Sequence, residues 1–145
     1  MNEKEYLEQR VDDQINWYDK KSATNKKFHN YLKFSEIILA LSIPLLAGFV
    51  TYETDYIKYL IGVLGFLVAG IAGVMNQFQF KDKWTEYRTV SESLKQEKYL
   101  FQTKTAYYNS ENSFDNFVER VENLISKENT NWVQNINNNK KEKNG

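Results

Sequence analysis

Tyr59 to Gln79 reads YLIGVLGFLVAGIAGVMNQFQ. Its first seventeen residues carry no charge and include four glycines. The chain around this stretch is polar, with a mean hydropathy of −0.65. A bilayer's hydrocarbon core, roughly 30 Å thick, needs about 20 helical residues to cross. The stretch meets that length once the uncharged residues up to Phe80 are counted. A second apolar block, IILALSIPLLAGFV at Ile37–Val50, reaches 19 residues when taken from Phe34 to Tyr52. Pro44 interrupts it and Glu36 stands near its start.

An apolar run of this length can also be the core helix of a soluble protein. Two such helices would need enough other chain to cover them, and residues 1–33 and 81–145 are amphipathic at best. The flanks fit a membrane. Phe28, Tyr31 and Phe34 precede the first block, and Phe78, Phe80 and Trp84 follow the second. Tyr52, Tyr56 and Tyr59 mark the opposite ends, so aromatic residues sit at both expected interfaces. The short connection TYETDYIK, Thr51–Lys58, makes the helices antiparallel neighbours. Lys20, Lys21, Lys26, Lys27, Lys33, Lys81, Lys83 and Arg88 lie on the side of the termini, whereas the connection offers only Lys58. The positive-inside rule then puts both termini in the cytoplasm of a multi-pass protein of the cell membrane.

Gly65, Ala69 and Gly73 recur every four residues on one helix face, with Gly62 beside them. Small residues let helix backbones approach closely in lipid. The face serves either the hairpin's own packing or packing between subunits around an axis. Asn76 continues the row and Gln77 follows. Such amides either line a narrow wet constriction or sit at the headgroup boundary. Pro44 removes the bond that the Ala40 carbonyl would accept. Glu36 either pairs with Lys33 or serves as an acid within the membrane.

The sequence predicts one continuous helix from about Tyr56 to about Tyr107, the second span (56–80) running on to about residue 108. Trp84, Tyr87, Val90/Ser91, Leu94 and Phe101 form the apolar stripe of its polar half. Asn109–Ser113 supplies a turn with Ser113 as helix cap. A last helix over 113–136 carries Phe114, Phe117/Val118, Val121, Leu124/Ile125, Glu128 and Trp132 on one stripe. Tyr6/Leu7, Val11, Ile15 and Tyr18 make an amphipathic N-terminal helix within 1–33, and residues 137–145 read as a frayed tail.

Arginine occurs three times against sixteen lysines. Arg88 and Glu92 are four apart, and Arg88 also suits an intersegment contact with Glu119, Glu122 or Glu128 of the last helix. Arg120 joins Arg88, Glu92 and Glu128 as candidate structural polar contacts. Function classes can be excluded on composition. Cysteine is absent and His29 is the lone histidine, which removes disulfides, thiol catalysis and histidine metal clusters. Net charge is zero, giving no electrostatic case for nucleic acid. No phosphate loop, paired catalytic carboxylates or hydroxyl–histidine pair is present, so neither an enzyme nor a cofactor is expected. The acidic, polar start MNEKEYLEQR does not read as a signal peptide.

Four segments carry a family resemblance: WYDKKS (Trp17–Ser22), IILALSIPLLAG (Ile37–Gly48), WTEYRTVSESLKQEKYLF (Trp84–Phe101) and FVERVENLISKENTNW (Phe117–Trp132). In that order the chain resembles the SLATT group, SMODS- and SLOG-associating two-transmembrane effectors. The resemblance implies a membrane effector of a bacterial conflict system, accompanying nucleotide-generating or nucleotide-sensing proteins, with pore formation as its activity. No length is left here for a fused sensor, so a cytosolic sensor or regulator would be a separate partner.

Together these readings predict an all-α membrane protein of one domain over 1–145. It is a two-span transmembrane hairpin whose long helices extend into a cytoplasmic bundle, assembled as a homo-oligomer. The expected function is an oligomeric pore or channel, with Gly62, Gly65, Ala69, Gly73, Asn76 and Gln77 as pore-lining or helix-packing residues. The alternative is a non-conducting scaffold that docks a cytosolic partner.

Overall fold

The computed structural model describes residues 2–50, 55–105 and 108–127, and all its regular structure is helical. Helix α1 spans Glu3–Ala47, α2 spans Asp55–Gln102 and α3 covers residues 113–127. Both α1 and α2 are long and apolar enough to cross a membrane.

Helix α1 starts on a reciprocal cap. The Asn2 side chain accepts from the Glu5 amide at 2.8 Å, and the Glu5 carboxylate accepts from the Asn2 amide at 3.3 Å. Leu7–Asp12 then widens into a π-helix. The widening has a packing reason: buried Tyr6 and Val11 are five apart, the π-helical spacing, and ordinary three- and four-residue steps lead on to buried Ile15 and Tyr18. Pro44 lies inside α1, which ends three residues later at Ala47, short of the expected Tyr52.

Helix α2 departs from the continuous helix expected. It is regular over Asp55–Phe78 and Phe80–Gln102, separated by Gln79 at φ 49°. A left-handed residue other than glycine costs about 1–2 kcal/mol. Here it turns neighbouring side chains together. Residues two apart do not face each other on a regular helix, yet Phe78 and Phe80 stack with ring centroids 5.6 Å apart, and Phe28 stacks on Phe80 at 6.0 Å. Helical bonding resumes at once, since the Gln79 carbonyl accepts from the Lys83 amide at 3.1 Å.

The far end of α2 also stops early, at Gln102 rather than Tyr107. Lys104 is left-handed at φ 51°. The Thr105 amide donates to the Leu100 carbonyl and the Lys104 amide to the Phe101 carbonyl, each at 3.1 Å. This is a Schellman stop built without the glycine that usually marks one in sequence. Helix α3 begins at Ser113, so its cap falls at Asn112, one residue before the expected one, with the Asn112 carbonyl accepting from Asn116 at 3.1 Å.

The chain forms two compact units, Met1–Lys21 with Glu86–Gly145, and Ser22–Thr85. The first is a helical bundle around one core. Val11, Leu94, Phe117 and Val121 are wholly buried, and Tyr6, Ile15, Tyr18, Phe101, Tyr108 and Ile125 complete the cluster. These are the apolar stripes expected of the three segments. Phe117 stacks on Phe101 at 4.3 Å and meets Tyr6 and Tyr108 edge-on at 6.1 and 6.0 Å. The expected stripe positions Glu128 and Trp132 lie outside the described residues.

The second unit is a helical hairpin. At its base Ser22 Oγ donates to the Trp84 carbonyl at 2.9 Å, and the Lys26 ammonium stands 5.5 Å from the Trp84 ring centroid. Over residues 32–46 of α1 the less exposed positions are Leu32, Ser35, Glu36, Leu39, Ser42, Ile43 and Leu46. Over residues 55–75 of α2 they are Ile57, Ile61, Leu64, Gly65, Val68, Ile71 and Met75. Both rows step by three and four residues, the seam of two packed helices. The other faces are bare: Phe66 is 76% exposed, Leu45 69% and Leu41 59%.

Candidate functional site

The hairpin's seam is mostly of branched and long aliphatic side chains, with Gly65 at its edge, and Gly62, Ala69 and Gly73 of the glycine row fall elsewhere. Gly62, Ala69, Gly73, Asn76 and Gln77 are exposed, and Gly65 is half-buried. A Cβ added at Gly62, Gly65, Gly70 or Gly73 would meet nothing within 4 Å. Small residues favour a helix interface where a backbone comes close, and among the described residues of one chain none comes within 4 Å of a Cβ added at these glycines. The Asn76 amide, one step beyond the row, has no hydrogen-bond partner among the described residues. The same unit resolves Glu36, whose carboxylate is held by Lys33 at 2.9 Å. At the hairpin's other end Lys58 pairs with Asp55 at 2.7 Å.

In the bundle each arginine is committed to a carboxylate. Arg88 meets Glu92 at 2.9 Å and Asp19 at 3.9 Å. Its intersegment partner is thus on α1, where the last helix was expected to supply it. Glu122 of α3 instead takes a bidentate pair of bonds from Arg10, at 2.9 and 2.8 Å, and a bond from the Tyr6 hydroxyl at 3.0 Å. Arg120 donates to Glu97 at 2.6 and 3.1 Å, and the Tyr108 hydroxyl donates to the same carboxylate. Asp19 accepts from the buried Ser91 hydroxyl at 2.6 Å and from Lys95 at 2.8 Å. Lys98 pairs with Asp12.

The electrostatics follow from these bonds. Burial alone would raise the Glu97 carboxyl, but the Arg120 and Tyr108 hydrogen bonds and the Arg120 charge outweigh it and hold it below its ordinary range. Asp19 behaves alike through Lys95, Ser91 and Arg88. Glu122 is held down chiefly by Arg10. Burial, then the facing carboxylates, push the Tyr6 and Tyr108 hydroxyls up.

Sequence reasoning missed Asp12, Asp19, Glu97 and Arg10. Glu97 left a signal, standing three residues after Leu94 and four before Phe101 on an apolar stripe. A groove of about 220 Å³ lies beside its pair with Arg120, bordered by Asn123, Leu124 and Lys127. Among the described residues no three His, Asp or Glu side chains converge as a metal site. In chemical terms the bundle offers neutralised ion pairs, and the hairpin offers an uncovered small-residue face ending in amides.

The family described as "Protein of unknown function (DUF4231)" matches residues 13–116, from α1 of the bundle through both apolar segments to the start of α3. The chain belongs to the DUF4231 family. No curated protein and no solved structure matches it. The region of this DUF4231 protein that the family match covers includes the glycine row, Gln79, Glu97 and the Asp19 pairs. Arg10, Arg120 and Glu122 fall outside it.

Proposed function

We propose that the protein is a multi-pass protein of the cell membrane whose hairpin assembles with copies of itself into a pore, with both termini cytoplasmic. The observation that carries this reading is the glycine row of the second span. It lies on an apolar helix, its own hairpin leaves it uncovered save at half-buried Gly65, and it leads into exposed Asn76 and Gln77. Packed around an axis, these backbones approach closely and the amides provide a polar ring at one mouth. Bare apolar faces support lipid as the solvent, since 0% and 6% of the most apolar windows of α1 and α2 are buried within the chain. A core helix of a soluble protein would be mostly covered. The resemblance to SLATT two-span effectors points the same way and adds a role in bacterial conflict systems, with a cytosolic sensor or regulator as the trigger.

The test is ion flux from liposomes containing the purified protein. Flux is expected, and Gly73→Leu and Asn76→Leu should each lower it about tenfold or more. Gly73→Leu has open space within one chain, so helical content should stay unchanged. Tight vesicles holding confirmed oligomers would contradict the pore. A monomer or simple dimer in nanodiscs would favour the scaffold that docks a cytosolic partner.

A further inference from the structure

The hairpin unit is electrically one-sided. At the end where α1 enters and α2 leaves, Lys26, Lys27, Lys33, Lys81 and Lys83 stand against Glu36 and Asp82, and Glu36 is already taken by Lys33. The opposite end carries Lys58 against Asp55 and Glu53. All five lysines of the basic end are exposed.

Within this collar Thr24, Lys27, Phe28 and Tyr31 line an open groove of about 460 Å³. Their spacing of three, four and seven residues places them on one face of α1, immediately before the apolar segment. Phe28 is held by its stack on Phe80, and it remains 53% exposed. Tyr31 is 71% exposed. The Lys27 ammonium has no ion-pair partner among the described residues. The groove thus joins a cation, a phenol hydroxyl and an aromatic wall at the boundary between polar and apolar helix surface.

Resting on the membrane reading above, we infer that this groove binds the headgroup of an anionic phospholipid. The Lys27 ammonium pairs with the phosphodiester and the Tyr31 hydroxyl donates to the headgroup. Phe28 lies against the glycerol and the start of the acyl chains. Charge complementarity selects the lipid. The collar carries excess positive charge, each lysine near such a surface contributing about 1 kcal/mol toward anionic lipid, whereas a zwitterionic headgroup brings no net charge to match.

The experiment counts lipids retained on the detergent-purified full chain by native mass spectrometry, with phosphatidylglycerol and phosphatidylcholine as probes. Phosphatidylglycerol should be retained preferentially, and Lys27→Ala should lower its retention about fivefold, the ratio corresponding to about 1 kcal/mol. Lys27→Arg should keep it, and Lys58→Ala at the far end should leave it unchanged. Equal retention of both lipids, no loss in Lys27→Ala with intact helicity, or displacement by free glycerol phosphate would overturn the site. A chain that stays dispersed without detergent and retains neither lipid would overturn the membrane reading itself.

Discussion

Phe117→Ala should lower the stability of the bundle by about 3–5 kcal/mol, the cost of deleting a large aromatic side chain from a core that cannot close over the gap. Phe117 is wholly buried. Its ring contacts Phe101, Tyr6 and Tyr108, on α2, on α1 and in the turn before α3, so one deletion loosens all three. In a unit of this size the loss corresponds to roughly 12–40 °C in melting temperature. Near-ultraviolet circular dichroism in detergent during a thermal scan reads it directly. Phe117→Leu, which keeps most of the volume, should recover more than half of the loss. A melting temperature within about 2 °C of the wild type for Phe117→Ala would mean that this cluster does not hold the bundle together.

Arg120→Ala should cost about 3 kcal/mol, because it leaves the Glu97 carboxylate buried with, among the described residues, the Tyr108 hydroxyl alone as partner. The value is kept to the low end of the range for buried pairs because the Arg120 side chain is 42% exposed. Removing both charges together, as Glu97→Leu with Arg120→Met, should restore most of the stability, since the main cost is an uncompensated charge. The pH dependence follows from the direction of the shifts. Glu97, Asp19 and Glu122 have folded values below their ordinary 4.5, 3.8 and 4.5. The unfolded chain therefore takes up protons first as pH falls. The stability these carboxylates carry is whole above those ordinary values and drains away as pH drops through the lower folded values. Thermal scans at pH 7 and pH 3 should show the gap between wild type and Arg120→Ala narrowing in acid. A gap that widens would contradict the assignment of charge to Glu97.

The periodic segments were the legible part of this fold. The stripes Tyr6–Val11–Ile15–Tyr18, Ser91–Leu94–Phe101 and Phe117–Val121–Ile125 all face the bundle core as their spacing predicts. Helix ends and interruptions were not legible, for a specific reason. Gln79 and Lys104 both adopt left-handed backbone that sequence reading assigns to glycine or asparagine. At Gln79 ring stacking offsets the strain, and at Lys104 two capping bonds do so. Neither partner is visible from local sequence. The polar contacts were half legible. Scarcity singled out arginine, and all three arginines make ion pairs. Their partners depend on which helices adjoin, so Arg88 found Asp19 rather than a glutamate of α3. The glycine row was legible as a face, and the structure adds that the face is open within one chain.

The proposed function requires the two apolar helices to lie in lipid as a hairpin. The chain has no native cysteine, so single cysteines can be placed at Lys58, Phe66 and Glu111 and challenged with a membrane-impermeant maleimide. Lys58→Cys should react in intact cells, Glu111→Cys only after permeabilisation, and Phe66→Cys in neither case, although residue 66 is 76% exposed in the isolated chain. Reaction of Phe66→Cys as fast as Glu111→Cys would contradict the account, because an exposed side chain is shielded from aqueous reagent only where lipid surrounds it.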